Sequence, residues 1–164
     1  MSTLYLFCGL PGSGKSTVAR ILADDEGAVR LAPDDWLQAL ALDVRDDGAR
    51  SSMRELHWQH APELLVQGVS VILEFGLPTR AERDEKRLRA RELGVSVELW
   101  FLDDDRELLW SRVERRNASG APGALHVERE AFHTWAEAFE VPDADELAQY
   151  DVPDATSADE DPVS

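Results

Sequence analysis

The chain has 164 residues, 43% hydrophobic and 30% charged, a size and balance that fit one domain burying about two-thirds of its unfolded surface. Its 33 acids and 17 bases give a formal charge of −16; that field opposes polyanions and, with no basic stripe, argues against a nucleic-acid partner. Cys8 is the only cysteine, which excludes an intrachain disulfide and fits a reducing cytoplasm; no window nears the ~18 apolar residues of a membrane span, and no signal-peptide pattern opens the chain.

Short apolar runs alternate with longer helical segments. Thr3–Cys8 reads as a buried strand, followed by a helix over Ser16–Asp24 with Val18, Ile21 and Leu22 at helical spacing. A second strand is expected at 28–32. "PDDWLQALAL" then opens with a proline and two acids, which suits a helix N-terminus. Arg50–Gln67 reads as a helix interrupted or restarted at Pro62. The β-branched run 69–75 is the third strand, Thr79–Leu93 a charged amphipathic helix stopped at Gly94, and 95–102 the fourth strand. A helix over Asp103–Arg116 follows, with Asp103, Asp104 and Asp105 in its first turn, then a Gly/Ala/Pro loop at 117–125. Glu128–Phe139 is a last amphipathic helix, and 147–152 is expected to add a fifth strand.

This alternation predicts an α/β fold built from βαβ units: a three-layer arrangement with a mostly parallel five-stranded sheet and helices on both faces. The domain is expected over 1–152, with a lid near 112–128. Beyond Arg129 the sequence has no Lys or Arg, and 153–164 reads as an acidic, disordered tail.

Between the first strand and its helix stands Gly9-Leu10-Pro11-Gly12-Ser13-Gly14-Lys15-Ser16-Thr17, a full match to G-x-x-x-x-G-K-[ST]. The glycines allow main-chain N–H groups to curl around phosphate oxygens, and the helix aims its positive end at the same oxygens. Lys15 is placed for the β- and γ-phosphates and Ser16 for Mg²⁺, so ATP and Mg²⁺ are the expected cofactors. A phosphate loop alone also fits switches and motors. The guanine-reading N-K-x-D motif is absent, and Lys15 and Lys86 are the only lysines.

The discriminating position is the exit of the second strand, where open α/β folds bind substrates. A carboxylate there takes the proton of an acceptor hydroxyl. Asp34 is the first candidate and Asp35 the second, although two acids also suit a helix N-terminus. Glu74, ending the third strand, is a candidate for the Mg²⁺ shell or simply a strand-end acid. Arg112, Arg115 and Arg116 share a helix face beside the expected lid. Arg112 and Arg116 are the candidates for phosphate contact, or else a solvated face paired with Glu107 and Glu114. Arg80 and Arg83, opening the helix after the third strand, are candidates for contact with acceptor or phosphate, and Trp36 for the acceptor side.

With "GLPGSGKST", "PDDW", "ILEFG" and "LWSRVERRN" in these positions, roughly residues 3–150 resemble the small P-loop kinases that include polynucleotide 5′-kinases, zeta toxins and chloramphenicol phosphotransferases. The resemblance implies that Lys15 and Ser16 bind ATP–Mg²⁺ and that Asp34 activates a hydroxyl. Two positions depart from it. The arginines that polynucleotide kinases place around the Asp pair are replaced by Pro33 and Leu37, and the third-strand acid, commonly Asp, is Glu74.

The resulting expectation is an ATP-dependent phosphotransferase acting on a hydroxyl of a small molecule such as an antibiotic, nucleoside or sugar. The alternatives are a nucleotide-binding regulatory module with a protein partner, or a zeta-toxin-like nucleotide-sugar kinase.

Overall fold

A computed structural model describes residues 1–120 and 125–153. Strand β1 (Thr3–Cys8) lies between β3 (Val71–Gly76) and β4 (Ser96–Phe101), and β2 (Val29–Leu31) pairs with the far side of β3. All three pairings are parallel. Central position explains the unbroken apolarity of β1: its alternate side chains feed two cores. Leu4, Leu6 and Cys8 join Ala61, Leu65, Ala90, Leu109, Val113 and Phe132 on one face. Tyr5 and Phe7 meet Ala19 and Leu22 on the other. The sheet is thus covered by helices on both faces.

The helices are α1 (Lys15–Glu26), α2 (Pro33–Ala39), α3 (Asp47–Val66), α4 (Arg80–Glu92), α5 (Arg106–Ser119), α6 (Arg129–Ala138) and the single turn α7 (Ala144–Leu147). Their ends follow local chemistry. Thr79 and Glu82 form a reciprocal capping box that starts α4, and Gly27 ends α1 in a left-handed conformation.

Four expectations need correction. The sheet has four strands among the described residues, not five. At 147–152 the chain makes one main-chain bond to β4, Asp151 N–H to the Val97 carbonyl at 2.8 Å. The Asp151 carboxylate then accepts from the Val97 N–H at 2.8 Å, so a side chain replaces the next ladder bond and no strand forms. Helix α3 starts three residues earlier than expected, because the Asp46 side chain caps the Ala49 N–H, and it continues through Pro62. Burial of Met53, His57, Ala61 and Leu65 along one stripe offsets the hydrogen bond that Pro62 cannot donate. The three aspartates 103–105 precede α5 instead of forming its first turn, since the Asp105 carboxylate accepts from the Glu107 and Leu108 N–H groups as the N-cap. Finally, α5 runs on to Ser119, taking the first part of the expected loop. The rest of that loop, 121–124, and the expected tail from 154 onward lie outside the described residues.

No helix among the described residues is long and apolar enough to cross a membrane.

Candidate nucleotide and acceptor site

The strand order turns about β1, and the main-chain N–H of Gly9 bonds the Gly76 carbonyl at 3.1 Å just past the paired strand ends. The phosphate loop leaves β1 there. Gly12 and Gly14 sit at φ +84° and +88°, where a Cβ is penalised. At Gly12 a Cβ would also lie 2.5 Å from the Leu109 carbonyl oxygen of α5, so glycine is what lets the loop rest on that helix.

Lys15 folds over the loop, donating to the carbonyls of Gly9 at 2.8 Å and Leu10 at 2.9 Å. It is half-buried, and burial pushes its pKa down from 10.5 to about 8; the Arg116 charge adds to this, while Glu74 and Asp34 oppose it. The Asp34, Glu74 and Arg116 charges are thus all felt at this ammonium. A polyphosphate would favour the charged ammonium and raise that pKa again. ATP binding is therefore expected to take up protons between about pH 8 and 10.5, and none below about pH 7. Calorimetry in buffers of different ionisation enthalpy measures this, and Lys15→Met should abolish the uptake.

Ser16, in the first turn of α1, donates through Oγ to Glu74 Oε1. The other Glu74 oxygen accepts from Arg30 Nε at 2.6 Å, and Arg30 Nη1 donates to Asp35 Oδ2 at 2.7 Å. Burial alone would lower the Arg30 pKa, but the two carboxylates outweigh it and hold the pKa above its ordinary value. A continuous chain of contacts thus runs from the phosphate loop through β3 and β2 to the start of α2. Beside it, Asp34 pairs with Arg50 Nε at 3.4 Å, and Arg20 stands 4.0 Å from Asp35.

One hydroxyl and one carboxylate at a phosphate loop suit Mg²⁺, which retains waters and takes few protein ligands. No cluster of three or more His, Cys, Asp or Glu fit to hold a metal occurs among the described residues. Ser16 would hold the ion directly, and Glu74 would orient its water.

The expected arginines divide. Arg112 donates to the Gly12 carbonyl at 3.3 Å and to Asp104 at 3.1 Å, bracing the loop from α5. Arg116 is exposed. Arg80 is engaged with Asp84 at 3.5 Å and Asp143 at 3.7 Å. Arg83 does not belong to the acceptor side: it is 0% exposed and spends its guanidinium on Glu146, the Leu77 carbonyl and the Glu140 carbonyl. Trp36 is 46% exposed on α2, edge-on against His57 at 4.6 Å.

Sequence spacing missed Arg20, Arg30, Arg50, Arg54 and His57. Positions 33 and 37 do lack arginine, yet arginines reach the Asp pair from α1, β2 and α3. The signal for one was present: Arg30 and Glu74 interrupt two apolar strands, and charges in such runs need partners.

This arrangement resembles that of the small P-loop kinases: a phosphate loop and its lysine, a strand-end acid touching the loop serine, and a carboxylate pair at the next strand's exit. The family described as "AAA domain" matches residues 4–142, and the chain belongs to it. No curated protein matches. Among solved structures, the chain is similar to one from the Pnkp1/Rnl/Hen1 RNA repair complex, with TM-score 0.68, 19% identity, and 84% of this chain and 43% of that one covered. Chaetomium thermophilum Kti12 in complex with ADP-AlF3 gives 0.66 and 18%, covering 85% and 81%. A gluconokinase from Sinorhizobium meliloti 1021 gives 0.56 and 18%, covering 90% and 88%. At these identities the likeness is one of fold.

Proposed function

We propose that the protein is an ATP- and Mg²⁺-dependent phosphotransferase that phosphorylates a hydroxyl of a small molecule. The observation carrying this reading is the hydrogen-bonded chain Ser16–Glu74–Arg30–Asp35, which joins the phosphate loop to the carboxylate pair. A switch needs the loop; a transferase also needs a proton acceptor beside it.

Main-chain groups of Gly9, Leu10, Pro11, Gly12, Ser13 and Gly14, with Thr17 in the first turn of α1, surround the β- and γ-phosphates of ATP. Mg²⁺ supplies charge neutralisation across those phosphates when bound. Lys15 swings from the loop carbonyls to the phosphates. Arg112 holds the loop in shape, and Arg116, free of carboxylate partners among the described residues, neutralises charge on the transferring group. Asp34 takes the acceptor hydroxyl proton as the hydroxyl oxygen bonds the γ-phosphorus. The bond from that phosphorus to the bridging oxygen breaks, and ADP leaves with the electron pair. Asp34 suits this role better than Asp35, which Arg30 grips at 2.7 Å.

Small-molecule acceptors are supported by the net charge of −16, which repels a polyanion, and by gluconokinase among the fold's bearers. A cytoplasmic location fits the use of ATP. Phosphorus-31 NMR of ATP with a hydroxyl-compound library tests the reading: a new phosphomonoester signal formed together with ADP is expected. ADP and inorganic phosphate alone, whatever compound is added, would refute it.

A further inference from the structure

Arg50, Arg54, His57 and Ala61 follow one another at helical spacing along α3. The first three meet α2 and the end of β3. Arg50 pairs with Asp34. The Arg54 guanidinium lies 5.4 Å from the Phe75 ring centre and donates once, to Glu82 at 3.2 Å. His57 stands between Trp36, at 4.6 Å, and Phe75, at 6.3 Å.

Two features of this junction exceed what folding requires. His57 is only 3% exposed, yet both ring nitrogens lack a hydrogen-bond partner among the described residues. Such orphans are rare in folded proteins, and one packed against Trp36 of α2, the helix that carries the candidate base, points to an occupant. Burial holds this imidazole neutral, its pKa pushed down to about 4 with a smaller push from His60, so it offers one donor and one acceptor.

The second feature is charge. Arg20, Arg30, Arg50 and Arg54 balance Asp34, Asp35, Glu74 and Glu82, whereas the chain carries 33 acids and 17 bases. Subtracting four of each leaves 29 acids and 13 bases, so the whole excess of −16 lies elsewhere. Arg50 and Arg54 each retain unused donors, being forks of five N–H groups.

Resting on the phosphotransferase reading above, we propose that this junction binds the acceptor and selects an alcohol bearing a carboxylate or phosphate group. The anion sits on Arg50 and Arg54, the carbon skeleton packs on the exposed ring of Trp36, and a polar atom pairs with His57. Fork geometry matches both anions bidentately, which a neutral alcohol cannot exploit.

The test uses matched probes: D-gluconate against D-gluconamide, glycerol 3-phosphate against glycerol, and adenosine 3′-monophosphate against adenosine. In at least one pair the anionic member is expected to show kcat/KM about 10- to 100-fold higher. Arg54→Met, which keeps the stem over Phe75, should erase that preference mainly through KM. The loss should fall on the anionic member. Equal use of both members, or a preference surviving both Arg54→Met and Arg50→Met, overturns the selection while leaving phosphoryl transfer intact.

A binding arm needs no turnover. With a non-hydrolysable ATP analogue present, the anionic probes should shift the Trp36 indole and His57 ring NMR signals, and the neutral ones should not. Those shifts without transfer would support the acceptor site and count against the reaction. Absence of shifts with every anion overturns the site.

Discussion

Asp34→Asn is expected to lower phosphoryl transfer by about 10²- to 10⁴-fold, the usual contribution of a positioned general base, while leaving ATP affinity unchanged. The amide keeps the size of the side chain but cannot take a proton. The ion pair to Arg50 at 3.4 Å is lost, yet both partners are partly exposed, so stability should fall by no more than about 1 kcal/mol. Asp35→Asn provides the comparison. It removes an anchor of Arg30, which still has Glu74 at 2.6 Å, and its effect should be the smaller one. Single-turnover rates with saturating ATP measure both. A larger loss in Asp35→Asn would transfer the base role to Asp35, and equal, undiminished rates would remove carboxylate catalysis from the scheme.

The distribution of what the sequence disclosed follows the range of the interactions. The phosphate loop was legible because its requirements are local: glycines at φ +84° and +88°, a lysine and a serine in consecutive positions. The first four strands and most helix ends were legible for the same reason, as caps and alternation act over a few residues. Failures began where a partner was distant in the chain. Nothing near 147–152 announces that Asp151 substitutes its carboxylate for a ladder bond to Val97. Pro62 looked like a helix break because its cost is local, whereas the compensation comes from the sheet beneath Ala61 and Leu65. The positions flanking Asp34 in sequence lack arginine, and the fold delivers arginines to the Asp pair from 14 residues upstream of Asp34 (Arg20) and 16 downstream (Arg50).

Arg83 is the sharpest instance of such a long-range dependency. Its position at the start of the helix after the third strand suggested substrate contact, but its guanidinium is sealed in the core. Glu146 of the single-turn α7, 63 residues away, accepts from Nε at 2.6 Å and from Nη2 at 3.0 Å. The Leu77 and Glu140 carbonyls take further donors at 2.9 and 2.7 Å. Glu146 is itself 1% exposed, and Asp143 caps its main-chain N–H at 2.7 Å. The pair therefore rivets the segment after α6 to the strand exit behind the phosphate loop. Within it, Leu77 stands at φ +42°, outside the usual range for a non-glycine residue.

Removing one partner leaves the other charge buried and alone. Glu146→Ala and Arg83→Met should each destabilise the fold by about 3–5 kcal/mol, lowering Tm by roughly 6–20 °C for a chain of this length. The combined Arg83→Met/Glu146→Leu variant buries no lone charge, and it should recover a substantial part of the loss. Urea unfolding separates these cases: the midpoint falls while the slope stays constant if the folded ensemble is otherwise unchanged. A contrary pattern is equally readable. If Arg83→Met kept the wild-type midpoint but lost turnover, the arginine would act on substrate after all, and the ion pair would have no structural part.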